Sequence, residues 1–304
     1  LCMGVQTNVT VYAASQGASA EAARAAFERI ERAEQALSDY RPGSDAMRLC
    51  DRAAARVGEW VPIEGDLREC LMTAERVTGA TDGAFSVTIG PAVRLWRESR
   101  RSGSLPSEAD RVRAVEASRW TSIELDEQSY QLRTLDRGVR LDFGGIGKGY
   151  AAQKAIDELR ARGCLRALVA LGGDIAAGDA PPGTSGWRIR VDKDLPDLYL
   201  RNCAISTSGD REQFVEIDGR KYSHIVDART GIGFDAPRGV QVTVVARDGA
   251  IADALGTALY ALPIERASEM LTEFHAAAVL IVERDGEDRQ VLINDPHSML
   301  RWAE

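Results

Sequence analysis

The stretch Leu141-Asp142-Phe143-Gly144-Gly145-Ile146-Gly147-Lys148-Gly149-Tyr150 constrains this chain more than any other, with four glycines in six consecutive positions. It predicts a glycine-rich turn that enters a helix running from about Lys148 to Arg162 and ended by Gly163. Such a turn lets backbone N–H groups approach a ligand closely, and the helix behind it offers a positive N-terminus. Lys148 adds a full charge, so a pyrophosphate suits the set. Read alone, the stretch equally suits a tight strand-to-helix turn. A P-loop does not fit, because its first glycine would fall on Asp142 and its hydroxyl residue on Gly149. A kinase reading of Asp142-Phe143-Gly144 lacks the upstream motifs it requires.

Around this turn the patterning alternates between strands and helices in mixed blocks. Val5–Ala13 reads as a strand, followed by a helix capped by Ser19 with Phe27, Ile30, Ala33 and Leu37 inward. That helix should stop at Tyr40-Arg41-Pro42-Gly43, and a second should run from Asp66 to Thr78. Glu98–Ala109 reads as a loop, Thr121–Leu125 with Gln131–Leu135 as a hairpin, and Val139–Phe143 as a short strand. Further strands are expected at Arg166–Leu171, Trp187–Val191, Cys203–Ser208, Phe214–Ile217 and Val240–Ala246. Asp248 should cap a helix reaching Leu262, and Pro263 should open another to about Phe274. A last hairpin, Ala277–Glu283 with Gln290–Ile293, should turn through Asp285-Gly286. Mixed blocks without strict βα repeats point to an α+β fold, with mixed or antiparallel sheets and packed helices. No repeat or interdomain linker is visible, so residues 1–304 read as one domain.

Composition narrows the function. A formal net charge of -8 argues against a general nucleic-acid binder, which needs a basic surface. No apolar run is long enough to span a membrane. Five widely spaced cysteines without a C-x-x-C pair suit buried small hydrophobes better than a disulfide framework or zinc site. Three histidines argue against a His-rich metal site.

Two further motifs carry chemistry. In Ile251-Ala252-Asp253-Ala254-Leu255-Gly256-Thr257-Ala258-Leu259, Asp253 and Thr257 lie four apart and share one helix face. An inward carboxylate among Ala and Leu needs a cation or donors, and a carboxylate with a hydroxyl suits Mg²⁺. The plainer reading has Asp253 near the helix start serving the dipole. In Lys221-Tyr222-Ser223-His224-Ile225-Val226-Asp227, His224 suits a general base near neutral pH, although a lone His is more often structural. Ser206-Thr207-Ser208-Gly209 reads as a strand end beside a ligand or a plain turn, and Leu171-Gly172-Gly173-Asp174 as a simple bend.

Taken in order, these blocks resemble the ApbE family of FAD:protein FMN transferases. The resemblance rests on Met3-Gly4, Ser38-Asp39-Tyr40-Arg41-Pro42, Gly83-Ala84-Phe85-Ser86-Val87-Thr88-Ile89-Gly90-Pro91, Leu141–Tyr150, Gly172-Gly173-Asp174, Ser206–Gly209, Tyr222–Asp227 and Ala252–Leu259. It implies an ApbE-like α+β fold, with two lobes around a cofactor cleft. It implies Mg²⁺-dependent transfer of the FMN half of FAD to a Ser or Thr hydroxyl of an acceptor flavoprotein, releasing AMP. Acceptors would be subunits of bacterial electron-transport complexes such as the Na⁺-translocating NADH:quinone reductase. Met3, Tyr40, Ala84, Phe85, Ser86, Asp142, Lys148 and Ile225 would line the FAD pocket. Gly145 (by its carbonyl), Asp253 and Thr257 would hold Mg²⁺, and His224, Asp253 and Lys148 would carry the chemistry. Departures are Val5 for Thr, Ser86 for Asp, Phe143 for Leu and Gly147 for Ala. An FAD pyrophosphatase with water as acceptor is the nearest alternative, and a non-catalytic FAD-binding protein the next. The resemblance suggests a bacterial periplasmic or membrane-anchored location if a leader has been trimmed, and a cytoplasmic one is compatible too.

Overall fold

Two helices that start against one another organise the molecule. In the computed structural model, which describes residues 1–209, 214–236, 239–284 and 288–303, the elements run in this order: β1 (Thr7–Val11), α1 (Gln16–Leu37), α2 (Asp45–Ala55), β2 (Val61–Pro62), α3 (Gly65–Ala80), α4 (Gly90–Ser102), α5 (Glu108–Ala117), β3 (Ile123–Asp126), β4 (Gln131–Thr134), α6 (Gly147–Ala161), β5 (Ala167–Leu171), β6 (Asp174–Ala177), β7 (Trp187–Ile189), β8 (Leu198–Leu200), β9 (Cys203–Gly209), β10 (Phe214–Ile217), β11 (Arg220–Asp227), β12 (Ile232–Asp235), β13 (Val240–Ala246), α7 (Gly249–Ala261), α8 (Ala267–Glu273), β14 (Ala277–Arg284) and β15 (Asp288–Asn294).

The central sheet is seven-stranded and antiparallel, ordered β1-β5-β6-β9-β13-β14-β15. Helices α6 and α7 pack on each other and on this sheet, α1 packs on α6, and α3 packs on α7. This layering explains the composition of α7, which is apolar on nearly every face because it is enclosed. Leu255 there is fully buried, a contribution of about 1.5–3 kcal/mol. Asp248 caps α7 by accepting from the Ile251 N–H at 3.1 Å, as expected.

Glycines let α6 and α7 meet. A Cβ on Gly149 would overlap the Gly249 carbonyl and lie 2.7 Å from the Asp253 Cβ, and one on Gly249 would overlap the Gly149 carbonyl. The helices therefore touch main chain to main chain. A smaller sheet, β10-β11-β12, packs against α4.

Several sequence expectations are corrected. The cap of α1 is Ser15, which accepts from the Ala18 N–H, not Ser19, and Phe27 is 38% exposed rather than inward. The expected loop Glu98–Ala109 is the end of α4, closed by Gly103 at φ +72°, followed by the start of α5 capped by Ser107. Val139–Phe143 forms no ladder; its donors go instead to the Cys50 Sγ (from Leu141 N–H) and the Val87 carbonyl (from Asp142 N–H). Pro263 opens only a 3-10 turn, Ile264–Arg266, before α8. The bend at Gly172-Gly173 is present, but Asp174 begins strand β6. The Asp285-Gly286 turn lies outside the described residues.

Candidate active site

The glycine turn and α7 converge on a cleft of about 870 Å³. Tyr40, Ala84, Phe85, Ser86, Asp142, Gly145, Lys148, His224, Ile225, Asp253 and Thr257, all singled out from the sequence, line it. Met3 does not. Its backbone N–H donates to Glu34, and its methyl group packs against Gly147, behind the turn.

At the helix starts, Lys148 reaches two buried carboxylates. Its Nζ lies 2.9 Å from Asp174 and 3.4 Å from Asp253, and it also donates to the Gly144 carbonyl at 3.3 Å. The Gly149 N–H donates to Asp253 Oδ2 at 3.0 Å, and Ser206 Oγ donates to Asp174 Oδ1 at 2.5 Å. One ammonium thus faces two carboxylates that are themselves almost fully buried. Burial first, and then Asp174, pushes the Asp253 carboxyl up to about 7 against the pull of Lys148 and the Gly149 N–H. Lys148 moves the opposite way from an isolated buried amine: burial pulls it down, but Asp253 and Asp174 more than offset this and hold it above its usual value.

Thr257 stands one turn beyond Asp253, and a Cβ on Gly145 would come within 2.8 Å of its Oγ1. The hydroxyl therefore abuts the backbone of the glycine turn. Asp253 Oδ1 makes no hydrogen bond among the described residues. This hard-oxygen set fits a divalent cation whose remaining positions are filled by phosphate and water. Such a set is partial: among the described residues no group of three or more His, Cys, Asp or Glu side chains forms a metal cage.

A second charged corner lies on the same cleft. Arg97 pairs with Asp142 at 3.0 Å and with Asp39, and its guanidinium stacks 4.2 Å from the centre of the Tyr40 ring. Burial, then Asp39, raises the Asp142 carboxyl to about 6 against Arg97 and the Gly144 N–H. The Gly144 N–H donates to Asp142 at 2.8 Å, so this corner is tied to the same turn. Ser86 is occupied locally: its Oγ accepts from the Thr88 N–H and caps the 3-10 turn Val87–Ile89.

His224 stands on β11 where the strand leaves its register with β12. Tyr222 pairs with Asp235 and Val226 with Gly233, so Ser223, His224 and Ile225 stand opposite the single residue Phe234. The extra residues turn His224 and Ile225 into the cleft lining.

Sequence reasoning missed Asp174 and Arg97. A buried Asp directly after Gly-Gly was a usable signal for the first. Nothing local marks Arg97, whose partners lie 58 and 45 positions away.

The fold and site define an α+β protein whose cleft, at the start of two abutting helices, is walled by glycine backbone, a lysine and two buried carboxylates. The ApbE family model matches residues 3–281, and the chain belongs to that family. An FAD:protein FMN transferase of Klebsiella pneumoniae (strain 342) is 28% identical over 280 residues, covering 90% of this chain and 84% of the relative. One from Escherichia coli (strain K12) is 28% identical over 272 residues, covering 85% and 76%. Among solved structures, the flavinyl transferase ApbE of Pseudomonas stutzeri in its apo form superposes with a TM-score of 0.81 at 26% identity, covering 97% of this chain and 92% of its own. The flavin transferase ApbE from Vibrio cholerae shares the fold with a TM-score of 0.82 at 24% identity, covering 98% and 96%.

Proposed function

We propose that this chain transfers the FMN half of FAD to a Ser or Thr hydroxyl of an acceptor flavoprotein. The observation that carries the reading is the convergence of Lys148, Asp253 and Thr257 on the glycine turn, within a chain of the ApbE family. Acceptors of the class proposed are subunits of bacterial electron-transport complexes.

Asp253, Thr257 and the Gly145 carbonyl are the residues that would hold Mg²⁺, which supplies charge neutralisation on the diphosphate. Lys148 stabilises the charge that develops on the leaving phosphate, from a position fixed before reaction, while the Gly144 and Gly149 amides hold the Asp142 and Asp253 carboxylates that frame the turn. Tyr40, Phe85 and Ile225 offer flat or apolar walls for the ring systems of FAD, and Arg97 holds the Tyr40 ring in place. His224 takes the proton of the acceptor hydroxyl. The hydroxyl oxygen bonds to the phosphorus on the FMN side while that phosphorus–oxygen bond to AMP breaks. AMP leaves with the electron pair, and a phosphoester-linked flavin remains.

The test is incubation with FAD, Mg²⁺ and a recombinant flavin-acceptor subunit of the Na⁺-translocating NADH:quinone reductase. In-gel flavin fluorescence on the acceptor is the expected result. Free FMN and AMP without labelling would make the protein a pyrophosphatase, and bound but intact FAD would make it a carrier.

A further inference from the structure

The bulge that carries His224 is held from outside its own sheet. Trp96, on α4, is 1% exposed, and its indole N–H donates to the Ser223 carbonyl at 3.0 Å. The register shift removes that carbonyl from the β11–β12 ladder, so the indole supplies a donor the strand cannot. The Ser223 side chain closes the other half of the bulge, its Oγ accepting from the Ile225 N–H at 3.0 Å. Gly233 makes room for both parts. A Cβ there would overlap the Ser223 carbonyl and lie 2.8 Å from the Trp96 ring. Tyr222 completes the seat, its ring meeting the indole edge-on at 5.5 Å.

We propose that Trp96 is a positioning residue for the transfer reaction: through the Ser223 carbonyl, and in the notch left by Gly233, it fixes the bulge that presents His224 to the cleft. The inference rests on the reading of His224 as the base. A donor on a helix and a missing side chain on the neighbouring strand serve the same carbonyl, that of Ser223 at the start of the bulge, which a purely apolar packing role for Trp96 would not need.

Trp96→Phe keeps an aromatic ring and removes the donor. With FAD, Mg²⁺ and the same acceptor subunit, kcat for transfer should fall about 10-fold, while KM for FAD stays within about twofold. In a His224→Ala background the same change should cost little more, because the imidazole it positions is already gone. In ¹⁵N-histidine spectra, Trp96→Phe should move the ring signals of His224 and leave those of His275 and His297 in place. If Trp96→Phe does not fold, Ser223→Ala, which loses the Ile225 tie, is read in the same three ways. Full additivity of the two changes, or an unmoved His224 signal, overturns the proposal while leaving the base assignment standing. A His224→Ala variant at the wild-type rate removes the base assignment, and the proposal with it.

Discussion

The cleft holds two corners of the same chemical formula, one cation facing two carboxylates, and they are built differently. Around Lys148 the carboxylates of Asp174 and Asp253 are almost fully enclosed, and Ser206 and the Gly149 amide hold them. Around Arg97 one partner, Asp39, is partly open to water, and an aromatic ring caps the cation. The lysine corner has its geometry set by backbone in direct contact, with Asp253 on α7 against the start of α6 and Asp174 at the head of β6; the arginine corner depends on one planar fork that reaches from α4 to two carboxylates. The first is therefore suited to a step where charge develops within fixed distances, and the second to gripping a ligand that must enter and leave.

On that contrast, Asp253→Ala should have the largest effect, lowering transfer by about 100-fold or more in steady-state assays with Mg²⁺. Wild-type turnover in that variant would remove the lysine corner from the chemistry. Lys148→Met should follow: it leaves two carboxylates unpaired in a buried place, a loss of about 3–5 kcal/mol that urea unfolding can measure. A small change in the unfolding midpoint would mean that water or ions already screen that corner.

The pH response separates the corners next. A carboxyl held above its unfolded value stabilises the fold below about pH 4, and that contribution is lost as pH rises through its folded value. For Asp142 the loss should be complete a little above pH 6, and for Asp253 above pH 7. Urea midpoints of the FAD-free, metal-free protein should thus decline between pH 4 and 7, and Asp142→Asn should flatten the lower part of the decline. A midpoint that climbs through this window would contradict both assignments. The smallest expected change is Arg97→Lys, which keeps charge but loses the fork. It should raise KM for FAD about threefold with kcat nearly unchanged. A drop confined to kcat would place Arg97 with the chemistry instead.

How much of this is legible in the sequence depends on whether the signal is local. The glycine turn, the Asp248 cap and the shared face of Asp253 and Thr257 are short-range facts, and they stand as read. The end of α4 escapes such a reading because Arg97-Glu98-Ser99-Arg100-Arg101-Ser102 has no apolar periodicity; its inward residue in that stretch is a serine, Ser99. Val139–Phe143 resembles a strand because it is largely apolar, yet its hydrogen bonds go to a thiol and a turn. The bulge at His224 is hidden for a related reason: a register shift is a property of two strands, and only the notch at Gly233 hints at it in one dimension.

The bare contact between Gly149 and Gly249 has a consequence for how such a site can change. Where Gly149 meets Gly249 no side chain intervenes, so the two helices are at their closest approach there, and the gap between Lys148 and Asp253 cannot be narrowed by pressing them together. Adapting the protein to a bulkier ion, or to a longer phosphoryl donor, has to proceed by trading side-chain length at the rim. The scaffold itself acts as a spacer of constant width.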